Sequence, residues 1–247
     1  WGPQTERRRN NFPTGRFMPI EIIRALLQIK KAAAQSNMEL NQISEAKGKL
    51  IVESIDTLLA LSDEDLRKDF PLKVYQTGSG TQTNMNCNEV VAHQAAKLNP
   101  ELEILPNDDV NKGQSSNDIF PTAMNIVAAD AVAKLEESAQ HLIDELKKKQ
   151  EKYWRVVKIG RTHLQDATPL TFGQEVSGWV SALEHDLEYL KQLDGTLLEL
   201  AMGGTAVGTG LNAAPGFADV IAEKVGKVYG HEFTAKSNKF YGLSHHS

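Results

Sequence analysis

The chain has 247 residues, with 27 Lys and Arg against 32 Asp and Glu, which gives a formal net charge of -5. That length is enough for one or two domains with a sizeable core. The content of 40% hydrophobic and 24% charged residues is that of a globular rather than a disordered chain. The acidic balance argues against nucleic acid as a partner, because neutralising phosphates requires a net basic face.

Taken from the N-terminus, Trp1-Gly2-Pro3-Gln4-Thr5 followed by Arg7-Arg8-Arg9 has no apolar leader and no initiator Met. The basic run reads as a solvated patch, and the chain as a trimmed or partial one. Glu21 to Ala34 and Gln42 to Ala60 each carry apolar residues at three- and four-residue spacing, which predicts two amphipathic helices. Ser62 is a candidate N-cap for a short acidic turn, Asp63-Glu64-Asp65, and Pro71 closes this region. Cys87 is expected to open a helix near Asn84; as the only cysteine it allows no internal disulfide, which fits a reducing compartment, the cytoplasm.

Two later helices are expected to be much longer than average. One starts at Ser116-Asn117-Asp118, tolerates Pro121 in its first turn and runs to Leu146. The other follows Gly173 as far as Leu198, and a third amphipathic stretch spans Phe217 to Val228. Val156-Val157-Lys158-Ile159 alone reads as a strand. The richest apolar run, Ile126 to Leu135, is broken by Asp130 and Lys134 and falls short of the ~18 residues of a membrane span. The fold class is therefore mainly α, with an N-terminal helical domain over residues 1–114 and a long-helix bundle domain over 115–247 that is incomplete at its C-terminal end. Long helices with one apolar stripe need other helices to bury it, so a helical bundle or an oligomeric helix barrel is expected.

Four segments between these helices concentrate small hydroxyls, amides and glycines: Thr77 to Asn86, Pro106 to Asp118, Gly160 to Pro169 and Gly203 to Gly210. Each alone is ordinary turn chemistry. Together they suit a small anionic ligand, since hydroxyls, amides and backbone N–H groups at helix starts bind carboxylate oxygens without an arginine cluster. The Gly203–Gly210 segment lacks the Gly-Lys-Ser/Thr ending of a phosphate loop and is expected to serve tight backbone packing. His163 is the one histidine inside such a segment. His93, His141 and His185 fall in helical stretches, and the pair His245-His246 is weak evidence for a metal.

At these segments the sequence resembles class II fumarases, within the fumarase/aspartase superfamily. The likeness is carried by Ser79-Gly80-Thr81 with Asn84-Met85-Asn86, by Gln114-Ser115-Ser116-Asn117-Asp118, and by Gly160-Arg161-Thr162-His163-Leu164-Gln165-Asp166-Ala167-Thr168-Pro169. Aspartases typically place Gln at the position of His163 and Thr at that of Ser116. The resemblance implies a cytoplasmic homotetramer of the tricarboxylic acid cycle that adds water reversibly to fumarate, giving malate, with no metal or organic cofactor. By carry-over, Ser79, Gly80, Thr81, Ser115, Ser116, Asn117 and Thr162 hold the dicarboxylate. His163, assisted by Thr162, handles the water; imidazole is the side chain that exchanges protons near neutral pH. The hard step places a second negative charge on a carboxylate, as an aci-carboxylate, and preorganised donors must meet it.

Three departures accompany the likeness. The family's Gly-Ser-Ser…Met-Pro-x-Lys signature loop, which carries the serine taken as the C–H base and a substrate lysine, does not occur within the 247 residues, so the chain alone is expected to be inactive. A second dicarboxylate site at Leu105, Pro106, Asn107 and Asp108 is expected to be weak, because Leu102 and Leu105 replace the family's basic residue and histidine. Tyr241 stands where many relatives have Glu. The competing functions are an ammonia lyase of the same superfamily and a catalytically silent helical scaffold.

Overall fold

A computed structural model describes residues 1–245, among which the helical expectation holds: nine α-helices, one π turn and four short strands. The chain divides into two compact units, residues 1–127 with 197–247, and residues 128–196.

In the first unit α1 (Pro3–Asn11), which the sequence reading passed over, begins with Pro3, where the missing N–H is no loss. The buried Glu89 carboxylate accepts from the N–H groups of Gly2, Gln4 and Thr5 at 3.0, 2.9 and 3.1 Å, acting as an N-terminal cap supplied from far along the chain. The predicted amphipathic pair is α2 (Ile20–Glu39) and α3 (Glu45–Leu59), the latter capped by Ser44, and Ser62 caps α4 (Asp63–Lys68) as expected. The core sits on α2, whose Ile23, Leu26, Leu27 and Ile29 are fully buried alongside Ile51 and Ile55 of α3. Truncating any one of them to Ala would cost about 2–5 kcal/mol.

α5 spans Thr81–Leu98. This corrects the reading of Thr77–Asn86 as an inter-helix segment and of Cys87 as a helix opener: Thr81 to Asn86 form the first turns, and Cys87 lies in the second turn, fully buried. The first turns of α5 show no apolar stripe because they bury amides instead, with Gln82, Asn84, Asn86 and Asn88 all at or below 2% exposure. Burial raises the Cys87 thiol to about 12 against the pull of Lys30, where the sequence had allowed a lowered value. Gly80 precedes α5 in the left-handed region, φ 72°, and a Cβ there would strike the Phe120 ring.

A π turn covers Pro106–Val110, and α6 runs Ser116–Lys152, so it begins in the first unit and continues into the second. Pro121 is buried in the second turn of α6 rather than the first. Later, α8 (Phe217–Tyr229) packs on α2, and the two-residue strands β3 (Glu199–Leu200) and β4 (Thr234–Ala235) pair in parallel, with α9 (Lys239–Ser244) after them. The Gly203–Gly210 segment is packed as tightly as expected: a Cβ on Gly203 would lie 2.7 Å from Ala218, and one on Gly208 would lie 2.6 Å from Phe240.

The second unit is the remainder of α6, an antiparallel hairpin of β1 (Val157–Thr162) and β2 (Gln165–Thr171), and α7 (Phe172–Leu197). The hairpin overturns the expectation of one strand followed by a polar loop. Its alternation is hidden because Asp166 to Pro169 are all exposed, so no apolar face marks the second strand. The two helices share a small core, Ile143 with Val176, Val180 and Leu187, and an ion pair from Lys147 to Glu184 at 2.7 Å. Leu135, Leu142, Trp179 and Leu193 remain about half exposed. No helix among the described residues is long and apolar enough to cross a membrane.

Candidate functional site

The second polar segment is organised by the start of α6. Ser115, rather than Ser116, caps it: Ser115 Oγ accepts from Asn117 N at 3.2 Å, while Asp118 Oδ1 accepts from Ser115 N at 2.9 Å. This reciprocal pairing satisfies helix-end donors that would otherwise be orphaned. Asp118 Oδ2 reaches the other way and accepts from Thr205 N at 2.9 Å, which fixes the glycine-rich segment against α6. Thr205 sits at φ 54°, unusual for a β-branched residue, and is 5% exposed. Asn117 Nδ2 adds a bond to Ala206 O at 2.8 Å. Burial raises the Asp118 carboxyl to about 6, opposed by N–H groups of Ser115, Thr205 and Gly203.

These contacts border a cavity of about 350 Å³ lined by Ser115, Ser116, Asn84, Asn111 and Gln114 on one side and by Thr205 to Val207, Thr209, Leu211 and Asn212 on the other. The volume falls in the range of small-molecule sites. Asn84 Nδ2 donates to Ser116 Oγ at 3.0 Å and to Asn111 Oδ1 at 3.2 Å. With its oxygen already accepting, the Ser116 hydroxyl has its proton free to donate. Asn84 Oδ1 is buried without a hydrogen-bond partner, an acceptor that a ligand or water would satisfy.

Ser79 and Thr81 lie at the entrance to α5, bonded Oγ to Oγ1 at 3.1 Å, Ser79 exposed and Thr81 half-buried. Neither lines that cavity. Gly80 between them abuts Phe120, which places their loop against the first turns of α6.

Thr162 and His163 belong to the second unit. They form the hairpin turn with Leu164 and Gln165, and His163 and Leu164 both take positive φ, 50° and 61°. Two-residue hairpin turns of this hand prefer Asn and Gly, because the left-handed region strains other residues. The turn projects His163 into solvent beside Leu164, which is 94% exposed. Backbone strain of this kind persists where surrounding structure or function demands it.

The residues proposed for a second dicarboxylate site, Leu105, Pro106, Asn107 and Asp108, border a cavity of about 650 Å³ together with Leu102, Ile104, Glu89, Glu103 and His93. Its carboxylates, Glu89, Glu103 and Asp108, face no Lys or Arg in the lining. A cavity of about 810 Å³ in the second unit opens between the end of α6 and α7, lined by Trp154, Val156 and Val180 with Lys147, Arg155 and Glu184. Of the pair His245-His246, the second lies outside the described residues. His93, His141 and His185 are exposed on helices, in keeping with their helical spacing in the sequence.

Sequence reasoning named Asn84, Asn111 and Asp118 only as parts of polar segments and missed Lys30, whose ammonium donates to Asn111 and Gln114 of the cavity wall. The available signal for Lys30 was its place in the apolar stripe of α2, in line with Ile23, Leu27 and Ala34. For Asp118 it was the three-residue spacing from Ser115, the spacing of a capping box.

The Lyase_1 family profile, described as lyase, matches residues 1–247. The chain is 51% identical over 249 residues to fumarate hydratase class II of Listeria monocytogenes serotype 4b (strain F2365), covering 100% of this chain and 54% of that protein. It is 48% identical over 257 residues to fumarate hydratase class II of Myxococcus xanthus (strain DK1622), covering 99% and 53%. Among solved structures, the recombinant class II fumarase of Schistosoma mansoni matches with a TM-score of 0.89 and 39% identity, over 98% of this chain and 55% of that one. The mainly helical, fumarase/aspartase-like architecture expected from the sequence is thus the one observed. The chain spans about half the length of the curated relatives it matches. By its sequence along the whole of its length and by its fold, the chain belongs to the Lyase_1 family of lyases.

Proposed function

We propose that the protein carrying this chain is a fumarate hydratase, adding water reversibly to fumarate to give L-malate. The observation that carries the reading is the start of α6, where Ser115, Ser116 and Asn117 are held by caps and the Ser116 hydroxyl is oriented by Asn84 beside a cavity of ligand size. Uncharged, preorganised donors of this kind meet a carboxylate and the extra charge it gains in an aci-carboxylate. The names of the similar proteins support the same reading.

In this mechanism, which the resemblance implies residue by residue, Ser115, Ser116 and Asn117, with Ser79, Gly80, Thr81 and Thr162, hold the dicarboxylate in a site assembled from more than one copy of the chain. His163 takes a proton from water as the oxygen adds to one alkene carbon. The electron pair displaced to the neighbouring carbon delocalises onto its carboxylate, and that carbon is then protonated. By the resemblance, this last transfer falls to the serine of the signature loop, which is not among residues 1–247. The positive-φ turn suits His163 to an outward role, since it lifts the imidazole clear of its own hairpin.

The division into domains of residues 1–114 and 115–247, a homotetramer, residence in the cytoplasm and a place in the tricarboxylic acid cycle belong to the same proposal. The half-exposed apolar residues of α6 and α7 support assembly with further copies. The test is to express the complete reading frame and follow fumarate absorbance beside an ammonia assay with aspartate. Hydration without ammonia is the expected result, whereas ammonia release without hydration would overturn the reading in favour of an aspartase-like lyase, and neither activity would favour a silent scaffold.

A further inference from the structure

Lys30 is completely buried on α2, in a position where the apolar stripe calls for a hydrocarbon. An ammonium has three donors and is rarely fully buried unless paired. Its hydrogen bonds are to neutral oxygens, Asn111 Oδ1 and Gln114 Oε1, both at 3.3 Å, long for a charged donor. Among the described ion pairs none involves Lys30. The ionisable groups that face it are Cys87 of α5 and Asp118 of α6, and the Asp118 oxygens are already occupied by the N–H groups of Ser115 and Thr205.

Both partners of Lys30 line the cavity at the start of α6. Asn111 Oδ1 also accepts from Asn84, the amide that holds Ser116. The cation therefore stands one side chain behind the cavity wall, joined to it by a short chain of hydrogen bonds. A buried and incompletely neutralised positive charge in that place attracts an anion in the cavity through a low-dielectric medium.

We propose that Lys30 is a positioning residue of the dicarboxylate site, holding Asn111 and Gln114 in the cavity wall and supplying, from behind it, the positive charge that a substrate carboxylate meets. The proposal rests on the fumarate hydratase reading. A purely structural role would make Lys30 a tie between α2 and the segment 111–114, and would affect folding without favouring substrate binding.

The experiment compares the complete protein with its Lys30→Met and Lys31→Met variants. Met keeps the unbranched stem without the charge, and Lys31 serves as the control because it pairs with Asp56 at the surface. In Lys30→Met the KM for fumarate is expected to rise at least about tenfold, the scale of losing a charge across a partly shielded interior. Its kcat should change less, and its thermal midpoint should hold or rise because a buried charge has gone. Lys31→Met should leave KM unchanged. A folded Lys30→Met variant with the native KM overturns the proposal, as does one in which stability falls while KM stays level.

Should Lys30→Met not fold, the native protein supplies a second readout. Burial pushes the Lys30 ammonium down to about 8 against the pull of Cys87 and Asp118. The cation is therefore present below that pH and lost above it, and KM should rise between pH about 7 and about 9.5. Burial holds Cys87 up at about 12 and Asp118 at about 6, so neither titrates in that window. A level KM across it overturns the proposal. Failure of the native protein to hydrate fumarate refutes instead the reading beneath it, and this is seen before any variant is made.

Discussion

Replacing Asp118 by Asn tests the most heavily buried carboxylate of the site. The side chain is fully buried, and burial raises its carboxyl from 3.8 to about 6. At about 1.36 kcal/mol per pH unit, that difference corresponds to about 3 kcal/mol favouring the protonated side chain in the folded state. Because the folded value is the higher one, this stabilisation is fully present below pH 3.8 and is lost as pH rises through about 6. Asn cannot ionise, so the variant lacks the effect. Whatever offset the new amide introduces beside the N–H groups of Ser115 and Thr205 is the same at every pH. Urea unfolding at pH 4 and pH 7 then isolates the carboxylate: the stability of the native protein relative to Asp118→Asn should fall by about 2–3 kcal/mol between the two. A difference constant across that range would show that the N–H groups around Asp118 compensate its burial, and the reasoning would be wrong.

Gly80→Ala should destabilise the protein by about 2–5 kcal/mol, from left-handed backbone strain together with overpacking against Phe120; a native thermal midpoint would refute it. His163→Asn should lower kcat by about 10² to 10⁴-fold, the usual scale of acid–base catalysis, with little change in KM. Its stability should be native, since the imidazole is exposed, and near-normal turnover would make His163 a turn residue only. Cys87, fully buried with its thiol raised to about 12, should resist iodoacetamide in the folded protein and react once urea exposes it. Isothermal titration with a C4 dicarboxylate should show one class of site per chain, because Leu102, Leu105 and Asp108 give an anion little to hold; a second site of comparable affinity would contradict that.

Helices whose buried face is hydrocarbon were legible in the sequence. α2, α3, α7 and α8 all fall within a few residues of their expected bounds because Ile, Leu and Val repeat at helical spacing. α5 was not legible as a helix from Thr81, because its first turns bury the amides Gln82, Asn84, Asn86 and Asn88, which hydrophobic periodicity reads as surface. The hairpin was hidden for the opposite reason: β2 is exposed along most of its length, so alternation left no trace. At the candidate site the hydroxyls of Ser115 and Ser116 were visible as composition, and the wall behind them was not. Lys30 and Asn111 are 81 positions apart, and no local pattern reports their meeting.

The small core of residues 128–196 has a consequence for how stability is measured. A core cluster of four buried apolar side chains between α6 and α7, with Leu135, Leu142, Trp179 and Leu193 half in water, leaves this unit little to resist unfolding on its own. If copies of the chain cover that stripe, ordering these helices and joining the copies become a single equilibrium. The unfolding midpoint then shifts upward with protein concentration, and dilution alone loosens α6 and α7 before it touches the core on α2.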